Sequence, residues 1–267
     1  MNITLGKPLG ISEKGRRQNN EDYIYPLSEL TNANQNLFIV CDGVGGAEKG
    51  EIASALACES IRTFFATFIE DDSSPEFINK AVQYTGTRFD EYVVIHPEAK
   101  GMATTMTLLY IGESGVTVAH IGDSRIYQYR DGKLIFRTED HSLVNEWVKQ
   151  GMITPEEAYR HPRKNIITRA IQGTAHTFEA DVVRLTDIQT GDYFFMCTDG
   201  VTDCMTDDTL SQLFTENKSP EKLKNAITEI CNTESHDNYS FYIIPIQSIQ
   251  NPLDYRQFIS SFFSVFT

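Results

Sequence analysis

Two apolar runs constrain this chain more than any other feature. LFIVCD at residues 37–42 and YFFMC at 193–197 are rich in β-branched and aromatic residues, and each runs into an Asp-Gly pair, Asp42-Gly43 and Asp199-Gly200. Taken singly, an Asp-Gly after a strand is a turn. Two long buried strands that both end this way instead deliver carboxylates to a rigid edge, where glycine permits close backbone approach. Three more segments join acids to turn residues at strand ends: RRQNNED (16–22), HIGDSR (120–125) and SHDN (235–238). With VCDGVGG (40–46) and MCTDG (196–200), five such segments read as one site rather than five turns.

The rest of the pattern places these segments on a fold. Strand-like runs lie at about 2–9, 21–26 and 36–42. From Glu48 to Ile69 apolar residues recur at a helical period, and a second helix opens with Ser74 as N-cap and Pro75 behind it. Strands return at 103–111, 115–122, 125–130 and 133–138, the last two joined across Asp131-Gly132, a strong hairpin signal. Helices follow at 142–150 and from Thr154, where T-P-E-E forms a capping box. Further strands are expected at 178–185, 192–198 and 239–246, with helices at 206–215 and 219–232. Strand groups alternating with helix pairs, without a regular strand-helix-strand rhythm, predict an α+β layered fold. At 267 residues the chain fits one domain.

Composition excludes several functions. The net charge of −14 opposes phosphate backbones, so nucleic acid is not an expected partner. No segment reaches the ~18 apolar residues of a membrane span. Residues 1–10 lack the basic start and apolar stretch of a secretion signal, so a cytoplasmic location is expected. The five cysteines form no C-x-x-C pair and read as reduced thiols.

Clustered carboxylates repel one another and are tolerable chiefly when divalent cations neutralise them. Oxygen donors suit Mg²⁺ or Mn²⁺, whereas zinc calls for histidine or cysteine. Two such ions can activate one water for in-line attack on phosphorus. A phosphate also needs a cationic clamp, and Arg17, just before Glu21-Asp22, is placed for it. GVGG lacks the spacing of a nucleotide cradle, and Ser124 has no histidine placed by sequence to activate it.

In this order the five segments, with GMATTMTLLYI (101–111) and D-H-S-L (140–143), resemble the metal-dependent protein phosphatases, the protein phosphatase 2C-like enzymes of bacterial type, over about residues 5–246. The resemblance implies a four-layer α-β-β-α sandwich, two mainly antiparallel sheets flanked by helix pairs. A catalytic domain would span 1–247, and residues 248–267 would form a helical extension packed on it. The implied activity is hydrolysis of phosphoserine and phosphothreonine in proteins by two or three Mn²⁺ or Mg²⁺ ions per chain. Asp42 would bridge two metals with the Gly43 carbonyl on one, and Asp199 and Asp237 would complete the other. Glu21 and Asp22 would act through metal-bound waters, and Asp123 with Asp199 would hold a third ion. Asn238 would support the Asp237 loop. Arg17 would bind the substrate phosphate, and His141, Arg163 and Lys164 on a flap at 141–173 are candidate substrate contacts.

Two departures from the family pattern bear on the chemistry. The spacing from Gly15 to Asp22 is one residue short, so either Arg16 or Arg17 could serve; the register counted back from Asp22 favours Arg17. Val44 stands where eukaryotic members carry a histidine, and it cannot transfer a proton, which leaves the general acid unassigned. The expected partners are phosphorylated proteins made by a serine/threonine kinase, and a monomer is expected. The competing functions are a metal-binding regulator that docks phosphoproteins without cleaving them, and a two-metal hydrolase of other phosphate esters.

Overall fold

The computed structural model describes residues 2–44, 49–68, 74–113, 115–176, 178–216 and 219–250. Two antiparallel sheets face each other. One comprises β3 (Asp22–Tyr25), β4 (Leu37–Asp42), β5 (Met106–Gly112), β6 (Gly115–Ile121) and β9 (Asp181–Leu185), in that spatial order. The other runs β1 (Asn2–Leu5), β11 (Tyr239–Gln250), β10 (Tyr193–Cys197), β7 (Arg125–Arg130), β8 (Lys133–Arg137), with β2 (Leu9–Glu13) also paired to β11.

The period of two along each strand builds three apolar layers. In β4, Phe38 and Val40 point inward and meet Phe194 and Met196 of β10 and Tyr242 and Ile244 of β11 between the sheets. The alternate residues Leu37, Ile39 and Cys41 face outward onto α1 (Gly50–Thr67) and α2 (Pro75–Ile95). On the opposite outer face, Phe195, Cys197, Phe241 and Ile243 pack under α6 (Asp207–Glu216) and α7 (Pro220–Glu234). The architecture is therefore the expected α-β-β-α sandwich. Because LFIVCD and YFFMC are apolar on both faces, each can sit in the interior of a four-layer stack.

Local signals account for most boundaries. Ser74 accepts the Phe77 N–H at 3.2 Å and so caps α2. The Thr154 capping box forms in both directions at the start of the short helix α4 (Pro155–Tyr159), which follows α3 (Leu143–Lys149). Asp131 and Gly132 take φ of 50° and 75°, the left-handed pair that a tight hairpin between β7 and β8 requires. Two expectations need correction. The run at 2–9 is two strands, broken where Gly6, Lys7 and Pro8 interrupt the ladder, and β2 extends to Glu13. Residues 248–250, expected in a helical extension, continue β11 against β1. Residues 251–267 lie outside the described residues.

Candidate metal centre and active site

The alternation that builds the core also builds the site. Asp42 has the same parity in β4 as Phe38 and Val40, and Asp22, its register partner in β3, has that of the inward-facing Ile24. Thr198 follows Met196 and Ser240 precedes Tyr242 on the inward side of the facing sheet. Thr198 N–H donates to the Ser240 carbonyl at 3.0 Å, and its hydroxyl donates to Asp22 Oδ2 at 2.9 Å. Asp22 and Asp42 thus stand at one mouth of the sandwich, where the apolar filling gives way to polar side chains.

The two Asp-Gly pairs at this mouth are not turns. Neither Gly43 nor Gly200 takes a positive φ, in contrast to Gly132. A Cβ on Gly43 would lie 2.3 Å from the Gly50 carbonyl oxygen at the start of α1, and one on Gly200 would lie 1.8 Å from the Asn238 carbonyl oxygen. Both glycines are required because backbones press together beside a carboxylate. Asp199 opens the one-turn helix α5 (Asp199–Thr202), an element that the sequence pattern does not announce.

The electrostatics are those of acids forced together. Burial pushes Asp22 up to about 8, with the Ser240 and Thr198 hydroxyls pulling it down and Asp199 and Asp237 adding repulsion. Burial, then Asp203 and Asp237, push Asp199 up to about 6. Asp42 is held well above the carboxylate range by burial and then by Asp22, Asp199 and Asp123, and Asp123 by burial, Asp199 and Asp140. Asp42 and Asp199 also act on each other through their side chains, raising Asp42 and lowering Asp199, as two acids in competition for one proton do. Glu21 is raised by burial and by Glu51.

Within this group Asp22 Oδ1 is buried and has no hydrogen-bond partner among the described residues. An orphaned buried carboxylate oxygen among raised acids, with oxygen donors only, fits a site for hard divalent cations. The backbone around it is fixed. The Asp42 carbonyl accepts from Thr105 N–H at 2.8 Å and Thr104 Oγ1 at 2.7 Å, and Thr105 Oγ1 in turn accepts the Asp42 N–H at 3.1 Å. The Gly43 N–H donates to the Glu21 carbonyl at 3.0 Å.

Asn238 reaches further than the Asp237 loop. Its Oδ1 accepts the Glu21 N–H at 2.9 Å, and its Nδ2 donates to the Lys14 and Asn19 carbonyls at 2.7 Å each. Its own N–H donates to Asp237 Oδ1 at 2.7 Å. One side chain therefore joins Asp237 to both ends of the loop that bears the arginines. On that loop Arg17 donates to Asp237 Oδ2 at 2.6 Å with its side chain 55% exposed, whereas Arg16 bonds to the Thr233 carbonyl and His236. Arg17 is the one that faces the acidic group.

The flap candidates fall in different places. Lys164 Nζ donates to Asp203 Oδ1 at 2.7 Å, four residues after Asp199, and Arg163 is exposed beside it. His141 is buried and does not match the expected substrate contact. Its Nδ1 accepts the Gly122 N–H at 3.2 Å, its Nε2 lies 3.2 Å from Asp181, and burial followed by His120 brings it down to about 4. A neutral, engaged imidazole of this kind supports the flap base. His120, His141 and Asp181 do place three metal-type donor atoms within 4.8 Å of one another. However, the rings are stacked at 4.5 Å and 19°, so their in-plane lone pairs do not converge. Arg169 already supplies the cation, 2.8 Å from Asp181 Oδ1 and 3.3 Å from His141 Nε2.

Sequence reading missed Thr198, Ser240, Thr104 and Thr105, the hydroxyls that orient the acids and their backbone. For the first two a signal existed: each is polar at an inward position next to an otherwise apolar strand. It also missed Arg125, which forks onto Asp140 at 2.7 and 2.6 Å and ties G-D-S-R to D-H-S-L.

Fold and site together define an α-β-β-α sandwich with a cluster of buried carboxylates and an arginine at one mouth. Residues 9–249 match the protein phosphatase 2C family, and the chain belongs to it. It is 33% identical over 252 residues to a putative protein phosphatase 2C-type of Streptococcus pyogenes, covering 93% of this chain and 98% of that one. It is 34% identical over 197 residues to the serine/threonine protein phosphatase PstP of Mycobacterium tuberculosis, covering 73% of this chain but 36% of that longer protein. It thus spans about a third of the length of that relative. A crystal structure of the PstP catalytic domain with two manganese ions superposes with a TM-score of 0.77 at 28% identity, over 92% of this chain and all of that one. Among the described residues no helix is long and apolar enough to cross a membrane.

Proposed function

We propose that this chain hydrolyses phosphoserine and phosphothreonine in proteins, using two or three Mn²⁺ or Mg²⁺ ions held by Asp22, Asp42, Asp123, Asp199, Asp237, Glu21 and the Gly43 carbonyl. The observation that carries the proposal is the buried Asp22 Oδ1, unpartnered among the described residues and set among acids that burial and mutual repulsion have raised. The named activity of the S. pyogenes and M. tuberculosis relatives supports the same reading. Bound there, the ions would supply an activated water and electrostatic stabilisation of the phosphoryl group.

The chain's own residues would do the rest. Thr198 occupies Asp22 Oδ2, and Oδ1 would be the atom that helps hold a cation. Arg17 presents its planar fork to the phosphate oxygens, giving up or sharing its contact with Asp237 as it does so. Asn238 keeps Arg17 in register with Asp237 and Glu21. Val44 offers no proton, so the leaving serine or threonine oxygen takes one from water. Arg163 and Lys164 would meet the phosphoprotein at the flap. The substrates would be products of a serine/threonine kinase, and the enzyme would act as a cytoplasmic monomer.

The test is turnover of para-nitrophenyl phosphate and of a phosphothreonine peptide with Mn²⁺, Mg²⁺ or EDTA. We expect hydrolysis of both substrates, abolished by chelation. Metal binding without turnover would replace the proposal with phosphoprotein docking, and turnover indifferent to EDTA would sink it.

A further inference from the structure

Five free cysteines are distributed unevenly with respect to solvent. Cys41, Cys58, Cys197 and Cys231 are buried, and Cys204 alone is half-buried. Cys204 lies two residues past α5, and its thiol donates to the Val201 carbonyl at 3.2 Å. Its Sγ also stands 3.8 Å from the Sγ of Cys231, in the last turn of α7. The two sulfurs are in contact, and a disulfide bond needs them at ~2.05 Å. The segments they would join matter: α5 begins at Asp199, and α7 leads through Ser235, whose hydroxyl accepts the Asp237 N–H at 3.2 Å, to Asp237.

From this placement we infer that Cys204 and Cys231 form a reversible, peroxide-oxidisable disulfide that ties α5 to α7 and so displaces Asp199 relative to Asp237. The oxidation is independent of the phosphatase reading, whereas its effect on turnover rests on that reading. The contact between the two sulfurs brings the Cys204 thiol down from its ordinary value and pushes that of Cys231 up, and Cys204 is the more exposed of the two, so Cys204 is the thiol that meets the oxidant. Its thiolate attacks hydrogen peroxide; an S–O bond forms, the O–O bond breaks, and the leaving hydroxide takes a proton to become water. The Cys231 sulfur then attacks Cys204, an S–S bond forms, the S–O bond breaks, and a second water leaves with the Cys231 proton. Two thiols are oxidised by two electrons and one peroxide is reduced. A small dithiol reverses the step by exchange.

Cys41 on β4 and Cys58 on α1 also share one apolar layer, with the Cys58 thiol donating to the Tyr23 carbonyl at 3.6 Å, but their exposures of 0% and 1% keep peroxide from them. This pair is therefore an internal control.

The test uses the full chain, loaded with Mn²⁺ and treated with hydrogen peroxide, with the remaining thiols blocked before digestion. Two of the five thiols should disappear, with Cys204 and Cys231 linked in the peptide map. Cys197 shares a tryptic fragment with Cys204, so C204S and C197S are needed to assign the link: C204S should abolish it and C197S should not. Turnover of para-nitrophenyl phosphate should be lost on oxidation, return with dithiothreitol, and resist peroxide in C204S. A link through Cys41, Cys58 or Cys197, or five thiols intact after treatment, would overturn the inference. A mapped Cys204–Cys231 bond with turnover unchanged would overturn the coupling to the site. If the reduced protein has no turnover at all, the phosphatase reading fails while the map still decides the disulfide.

Discussion

Strand β10 runs between two buried carboxylates that are treated in opposite ways. At its start Asp192, fully buried, accepts from Gln128 Nε2 at 2.8 Å, from Arg130 at 2.8 and 3.0 Å, and from the Gln189 N–H at 2.9 Å. Beyond its end Thr198 supports one oxygen of Asp22, which is 5% exposed, and the other has no partner among the described residues. An unsatisfied buried acceptor costs about 1–3 kcal/mol, more if charged. The fold meets that cost at one mouth of the sandwich and avoids it at the other. Asp192, which serves the architecture, has its partners in the chain; Asp22 has one oxygen without a partner among the described residues.

Substitutions at the two mouths should have opposite consequences. Asp42→Asn should lower turnover by more than ~100-fold, since even residues that merely orient metal ligands cost 10–100-fold. The metal-free protein should be as stable as before or more so, because a repelled acid is gone. Asp192→Ala should do the reverse. Breaking a buried ion pair costs roughly 3–5 kcal/mol, visible in urea unfolding, while turnover per folded molecule should stay near that of the parent. If Asp42→Asn destabilises the metal-free protein as much as Asp192→Ala does, the contrast between the mouths is false.

Proton linkage separates the mouths next. Asp22 and Asp199 rise from 3.8 to about 8 and about 6 on folding, so between pH ~4 and ~8 the native state holds protons that the unfolded chain releases. Their contribution to stability is present below pH ~4 and is lost as pH rises through the folded values. Metal-free protein should therefore lose stability from pH 5 to 8, the gain on adding Mn²⁺ should grow over the same window, and Asp22→Asn should flatten the slope. Asp181 runs the other way. The His141 and Arg169 contacts lower it against burial, so its share is lost on acidification, outside this window. A metal-free stability that rises steadily from pH 5 to 8 would mean the cluster is not a store of protons.

The contrast also explains what could be read in advance. Period-two and helical patterns, Ser74, Thr154 and Asp131-Gly132 carry local information, and the four layers follow from them. The carboxylates were legible because they terminate strands whose apolar character fixes where they end. The hydroxyls of Thr198 and Ser240 were not, because their role exists only across the gap between sheets. The burial of His141 was equally hidden: a histidine beside an aspartate reads as a surface contact until β6 places His120 against its face. Asp192 was never singled out, since its side-chain partners Gln128 and Arg130 lie 62 to 64 residues away on β7.

Arg17→Ala should cost less than loss of a metal ligand. A hydrogen bond to a charged group contributes about 1.5–3 kcal/mol, so kcat/KM should fall by about 10-fold to 100-fold. Mn²⁺ affinity should change far less, and Arg16→Ala should leave KM near the parent value, because Arg16 bonds to Thr233 and His236 instead. An equal effect of the two substitutions on KM would remove Arg17 from the phosphate.

The smallest effect tests whether the flap is fastened to the site. Lys164 and Asp203 are 33% and 38% exposed, and pairs this open contribute about 0–1 kcal/mol, so Lys164→Ala should move the unfolding midpoint little. Its influence on chemistry is of another kind. Asp203 raises Asp199 and Lys164 lowers it, so removing the lysine leaves Asp199 with an additional uncompensated neighbour. The pH at which Mn²⁺-dependent activity rises should shift upward, and Lys164→Arg should restore it. Arg163→Ala, which leaves the Asp203 pair intact, should change KM for the phosphopeptide without moving that pH. If both substitutions move KM alike and neither moves the pH profile, the flap recognises substrate but does not tune the metal site.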